Sequence, residues 1–411
     1  MDPSKPRVLA ILPGIMPSTL MDVVKPLIAL QSTGHLDLRV AFENYPIISS
    51  VDWANLVVFC RNIEPRYQYI LRHIVDNQIP YIYDLDDNFF EVPLDTEEGQ
   101  YYRDPERIRL LTQYLIMASL VRVYSKHLLD QVKQFCTHVQ IVDPPLDLNA
   151  LHHTLKKNSS DRVKIVYATS RRDDRLSSIF SPALLRILRE YPQQVEMCFW
   201  GFRPPIFQSC SNTYYRRYNP NYDKFIRQFL SMGFEIGLAP LANDIFHLSK
   251  TNNKFREYSA CGIAGIYSNV DVYADCIEDG KTGLLVSNEP EDWYSAMVAL
   301  IQDADLRSSI GQAAKMEVEQ LYSSERFNDE WWKQIQLVLS NSHSTKPEDK
   351  QSPEMAYQSL NQRNINIPKI WLEKIKRATI TTGTLQKLLA NSQLHLINMW
   401  WLLKLNFFKR L

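Results

Sequence analysis

The segment from Asn243 to Trp293 carries the densest set of side chains able to do chemistry. A polar loop there opens into a helix near Asn252 or Asn253. The first turn of a helix holds backbone N–H groups without internal partners, and these suit a diphosphate. Lys250 and Lys254 add positive charge at the same end. Glu257, one turn further in, is the type of group that accepts hydrogen bonds from a ribose diol, and Gly262 follows as a helix stop. A second set, Arg171, Arg172 and Arg175 in the run KIVYATSRRDDR, falls in the turn after a strand. Guanidinium groups pair bidentately with phosphate oxygens, although each arginine is equally suited to a solvated charged loop. A third set, Asp84-Leu85-Asp86-Asp87, ends an apolar strand. Such carboxylates hold a divalent ion against a diphosphate. In the reading preferred here, Asp86 or Asp87 has an acceptor-side role and accepts or orients the proton of an acceptor hydroxyl, with a helix cap as the purely structural option. Gly14 after the first strand lets a ligand approach the backbone. Arg61, directly after the strand Leu56 to Cys60, faces the same side and suits either a ligand or a surface ion pair.

These residues need a scaffold, and the chain spells one out. Short apolar runs at Val8 to Leu12, Leu36 to Phe42, Leu56 to Cys60, Pro80 to Tyr83, Val121 to Tyr124 and Val139 to Val142 alternate with helical patterns near 20–30, 65–76, 105–119 and 126–135. That alternation predicts a parallel sheet covered on both faces. Asp143-Pro144-Pro145 and the polar stretch to Arg162 break the series and read as a domain linker. A second series repeats the first: strands at Val163 to Ala168, Val195 to Trp200, Phe234 to Ala239 and Ile263 to Tyr267, with helices near 182–190, 223–231, 253–261, 290–303 and 305–321. The expectation is an α/β chain with two Rossmann-like domains, 1–145 and 163–340, facing across a cleft. In an open parallel sheet ligands bind beyond the carboxyl ends of the strands, which is where all three sets of residues fall.

At 411 residues the chain exceeds what one core usually holds. It is 45% apolar and 22% charged, with 46 basic and 46 acidic residues, so no global field gathers nucleic acid. The six cysteines have no C-x-x-C pairing and the N-terminus lacks a signal-peptide run, which predicts reduced thiols in a cytoplasmic protein. There is no HExxH pair, no G-x-S-x-G elbow and no Walker loop. Residues 341–411 form a tail: a polar linker, then from Lys369 a basic stretch interleaved with Trp371, Trp400, Trp401, Phe407 and Phe408. That combination fits a helix lying on an anionic membrane surface, here the inner membrane, or one packed on the body or a partner.

The run Lys254-Phe255-Arg256-Glu257-Tyr258-Ser259-Ala260-Cys261-Gly262, then Ile266-Tyr267-Ser268, then Asp279-Gly280-Lys281-Thr282-Gly283-Leu284-Leu285-Val286 with Pro290 and Trp293, resembles GT-B glycosyltransferases, especially the large retaining class called family four. The resemblance implies that this run is a donor half-site, with Glu257 on the ribose, Asn253 at the helix start and Lys250 and Lys254 stabilising the departing diphosphate. It further implies a nucleoside diphosphate sugar as co-substrate, no cofactor and no metal, a hexosyl transfer with retention, and a polysaccharide, lipid-linked or other glycan acceptor on the first domain. The family pairs two glutamates eight residues apart. Here Ser249 stands in the earlier place, a departure that bears on the sugar. The rival expectation is a non-catalytic GT-B-like scaffold that recruits a partner or membrane through its tail; a nucleotide-sugar epimerase of the same form is a further alternative.

Overall fold

The computed structural model describes residues 5–45, 48–147, 161–170 and 172–342. Most of the linker to Arg162, Arg171 and the tail at 369–411 therefore lie outside the described residues.

The first series folds as β1 (Arg7–Leu12), a π-helical turn (Thr19–Val24), α1 (Lys25–Ser32), β2 (Asp37–Phe42), α2 (Ile48–Trp53), β3 (Leu56–Cys60), α3 (Gln68–Asp76), β4 (Tyr81–Leu85), α4 (Glu97–Tyr102), α5 (Pro105–Met117), β5 (Leu120–Val123), α6 (Lys126–Val132) and β6 (Val139–Ile141). Its six strands run in the order β2-β1-β3-β4-β5-β6, all parallel. Helices on both faces bury the central strands completely, and every residue of Val8 to Leu12 and of Leu56 to Cys60 is sealed from solvent. Parallel strands buried on both sides read as continuous apolar runs rather than alternating ones, which is why these strands stand out in the sequence.

The second series gives β7 (Val163–Ala168), α7 (Asp174–Glu190), β8 (Val195–Trp200), β9 (Thr213–Arg216), α8 (Tyr222–Ser231), β10 (Ile236–Ala239), α9 (Ile245–Leu248), α10 (Asn253–Ala260), β11 (Ala264–Ser268), α11 (Asp271–Ala274), β12 (Leu284–Val286), α12 (Pro290–Gln302), α13 (Ala304–Leu321) and α14 (Ser324–Ser342). The sheet order is β12-β11-β10-β7-β8-β9, again all parallel. Helix α7 opens at Asp174 rather than near Pro182, because Asp173 caps it by accepting from the N–H groups of Arg175 and Leu176 and the proline is carried inside. Edge strands β9 and β12 were not among the expected strands.

Helix α10 ends in a turn that needs a left-handed residue. Gly262 has φ of 69°, its N–H donates to Ser259 O at 2.8 Å and that of Ile263 to Tyr258 O at 3.0 Å, the paired bonds of a Schellman stop. Helix α13 packs there through Gly311, where a Cβ would lie 2.5 Å from Gly262 O.

After α13 the chain returns to the first sheet. Helix α14 packs on α1, Trp331 Nε1 donates to Asp22 O at 2.8 Å, and the buried Arg122 guanidinium lies 3.7 Å over the Trp331 ring. The outbound and return crossings touch: Leu146 N–H donates to Tyr322 O at 2.9 Å, and Ser324 Oγ donates to Leu146 O at 3.3 Å. The two sheets thus belong to one compact unit.

Candidate functional site

A cleft of about 290 Å³ opens at the carboxyl ends of both sheets. From the first sheet it is lined by Asp86 after β4, Tyr124 after β5, and Ser18, Met21 and Asp22 around the π-helical turn. From the second it is lined by Thr169 and Ser170 after β7, Trp200 at the end of β8, Tyr222 of α8, and Asn253, Lys254, Arg256 and Glu257 of α10.

Helix α10 starts at the cleft with no side-chain cap from Asn252, so its first N–H groups remain available to an anion. Lys254 Nζ donates to Glu257 Oε2 at 2.6 Å, with Lys254 the more exposed of the two. Arg256 is buried and braces the helix start: Nε donates to Asn252 Oδ1 at 3.0 Å, and its terminal nitrogens donate to Asn253 Oδ1 and to Pro145 O in the outbound crossing.

On the opposite wall the three aspartates diverge, each onto a different cation. Asp84 is fully buried; its Oδ2 accepts from Arg122 Nε at 2.9 Å and Tyr124 OH at 2.8 Å. Burial pushes its carboxyl up to about 6 against the pull of Arg122 and Tyr124. Asp86 accepts a bidentate pair from Arg61, 2.6 Å from Nε and 2.6 Å from Nη2. Arg61 reaches it from a left-handed backbone with φ of 62°, a conformation uncommon for a non-glycine residue and worth attention at a site. Asp87 accepts from Lys250 Nζ at 2.6 and 2.8 Å, and that ammonium also lies 3.7 Å over the Phe246 ring.

Of the residues singled out from sequence, the structure brings Asp86, Asn253, Lys254 and Glu257 together on the cleft. The others fall elsewhere, for physical reasons. Lys250 and Asp87 neutralise each other between the two sheets and do not line the cleft. Ser249 is fully buried, donating to Ile245 O at 2.7 Å and accepting from Asn88 Nδ2 at 3.0 Å, so it joins the sheets and presents nothing to a ligand. Arg172 and Arg175 are exposed on Asp174 and Asp173. Arg61 is spent on Asp86, and a Cβ at Gly14 would meet open space, so a glycine is not required there by packing. The Asp279 to Val286 run builds a turn: Gly280 has φ of 74°, Asp279 Oδ1 accepts from Leu285 N–H at 2.8 Å, and none of it lines the cleft.

Sequence reasoning missed Asp22, Arg256, Tyr124, Trp200 and Tyr222. Arg256 lies within the run Lys254 to Gly262 but was given no role, the other four belong to no motif, and Asp22 looks like an ordinary polar position of a helix. His247 was missed as well; it is buried, 2.7 Å from Asp244 and 3.6 Å from Asp173, where it ties α9 to the start of α7.

Two six-stranded parallel sheets with helices on both faces, meeting at a cleft and closed by the returning helix α14, constitute the GT-B fold. Solved structures agree. HepE of Anabaena, in complex with UDP and glucose, is similar over 81% of this chain and 100% of its own, with TM-score 0.58 at 14% identity. Sucrose-phosphate synthase from Thermosynechococcus elongatus is similar over 82% and 100%, with TM-score 0.60 at 13% identity. A Listeria monocytogenes protein described as a UDP-N-acetylglucosamine 2-epimerase is similar over 85% and 100%, with TM-score 0.54 at 12% identity. No family model and no curated protein matches the sequence. At these identities the likeness is one of fold, and fold alone does not assign chemistry. Among the described residues no helix is long and apolar enough to cross a membrane.

Proposed function

We propose that the chain is a glycosyltransferase that moves a sugar from a nucleoside diphosphate sugar to a glycan acceptor, polysaccharide or lipid-linked. The observation that carries this reading is the uncapped start of α10 on the cleft wall, with the Lys254 ammonium and the Glu257 carboxylate beside it. The helix N–H groups and Lys254 hold the diphosphate as charge develops on it, a case of electrostatic preorganisation. Glu257 accepts from the ribose diol once Lys254 turns to phosphate. Asp86, fixed by Arg61, faces the acceptor side. Because the aspartates of the first sheet are matched to Arg122, Arg61 and Lys250, the charge on the leaving group falls to the protein's own donors, and the proposal includes a hexosyl transfer without a metal and with retention. The solved neighbours with UDP or sugar bound support the class of ligand. A cytoplasmic site of action with the basic tail at 369–411 on the inner-membrane surface completes the proposal.

The test is thermal unfolding against UDP, GDP, ADP and dTDP and their sugars, with and without EDTA. A ligand at 100 times its dissociation constant adds roughly 2.7 kcal/mol. One nucleotide class should stabilise the protein regardless of EDTA. Glu257→Ala, which loses a charge-assisted hydrogen bond of about 1.5–3 kcal/mol, should weaken that binding roughly tenfold to a hundredfold. Stabilisation by none of them would favour the scaffold reading, and conversion of the sugar without transfer would favour an epimerase, a class also represented among the neighbours.

A further inference from the structure

The cleft has a carboxyl that no cation or hydrogen bond occupies among the described residues. Asp86 is clamped by Arg61 and Glu257 by Lys254. Asp22 lines the same cleft, half-buried, and its carboxyl makes neither a hydrogen bond nor an ion pair with any described residue. Its position is held from behind, since its own carbonyl accepts from Trp331 Nε1 at 2.8 Å. The backbone there is a π-helical turn, Thr19–Val24, between β1 and α1. Such turns are rare and occur often at functional sites. A polar group drawn partly out of water and left unmatched costs free energy until something pairs with it.

We propose that Asp22 pairs with a hydroxyl of the sugar bound in the cleft, an assignment that rests on the transferase reading above. The charged and titratable groups whose charges act on it are Asp84, Asp86, Tyr124, Cys60, Arg122 and Arg256. Burial, then Asp84 and Asp86, hold its carboxyl well above the usual range, with Arg256 and Arg122 pulling the other way. A neutral carboxylic acid both donates through O–H and accepts through C=O, which matches a sugar hydroxyl in either role. A site built around such a bond rejects a ligand lacking the hydroxyl, because the buried group is then left alone. The hydroxyl belongs either to the sugar of the nucleotide or to the sugar of the acceptor.

The experiment compares wild type, Asp22→Asn and Asp22→Ala as full chains. Calorimetric titration with UDP, GDP, ADP and dTDP, and with their glucose and N-acetylglucosamine derivatives, gives the affinity that the sugar adds. Release of nucleoside diphosphate in the presence of mixed oligosaccharides follows transfer. Asp22→Asn keeps size and hydrogen-bonding capacity and should hold both quantities within about threefold. Asp22→Ala should bind bare diphosphate as wild type does. Loss of the added affinity by tenfold or more in Asp22→Ala places Asp22 on the nucleotide's sugar. Added affinity that is kept, with transfer slowed tenfold or more, places it on the acceptor. Both quantities within twofold of wild type would overturn the proposal. Failure of wild type to bind any bare diphosphate would instead overturn the transferase reading, and Asp22 with it.

Discussion

Replacing Trp331 by phenylalanine should destabilise the protein by about 3 kcal/mol. The residue is fully buried on α14, its Nε1 donates to Asp22 O at 2.8 Å, and its ring lies 3.7 Å under Arg122. Phenylalanine removes the donor to the Asp22 carbonyl, at about 1 kcal/mol. It also presents a weaker face to a cation that is itself buried, for roughly another 1 kcal/mol, and leaves a void worth about 1 kcal/mol. Beside its bonds to Asp84 and Gln334, Arg122 has at Nη2 no hydrogen-bond partner among the described residues, so the indole face is a further compensation for that guanidinium. Trp331→Ala removes the whole ring and should cost roughly 5 kcal/mol. Urea titration followed by far-UV circular dichroism reads both values, and the thermal midpoint should fall by roughly 2–4 °C for each kcal/mol. A loss below about 0.5 kcal/mol in Trp331→Phe would refute the reasoning, because the return helix would then contribute nothing through this contact.

Other outcomes follow from charges buried on the first sheet and between the sheets. Burial raises the Glu43 carboxyl to about 7 from its ordinary 4.5, although Asn62 donates to it at 2.6 Å. A raised folded value means that folding favours the protonated acid, so its contribution is fully present below pH 4.5 and is lost as pH rises through 7, up to about 3 kcal/mol. Glu43→Gln should flatten that part of the stability profile between pH 4.5 and 8, and superimposable profiles would reject the assignment. Lys250→Ala leaves Asp87 buried and short of its closest cation, at a cost of about 3–5 kcal/mol. Adding Asp87→Asn should recover at least about 1.5 kcal/mol of it, and additive effects in the cycle would show that the pair is not coupled.

How much of this the sequence revealed depends on the distance over which each feature is determined. The buried strands Val8–Leu12 and Leu56–Cys60 declare themselves locally, through unbroken apolar runs. Edge strand β9, TYYR, is half-exposed and polar at one end, and β12 is three residues long inside a turn motif, so neither has a pattern to read. Glu257 and Lys254 were legible because helix start, charge and spacing all fall within one turn. Lys250 was read toward a ligand because its partner lies 163 residues away. Asp22 was silent because what makes it distinct is supplied by Trp331, 309 residues further on, and by the absence of a partner that its neighbours possess.

The joined crossings at Leu146, Tyr322 and Ser324 set the mechanics of the two sheets. Two straps fastened far apart would lock the bodies together, and one strap alone would leave them free to twist. Two straps bonded side by side act as a single door hinge: they permit rotation about one axis and resist sliding. Away from the hinge the sheets are joined by the half-buried pair Lys250 with Asp87 and by pairs nearer solvent, Lys126 with Asp275 at 2.8 Å and His127 with Asp271 at 2.9 Å, so these contacts act as the latch, and rising ionic strength loosens the exposed pairs before the hinge side gives way.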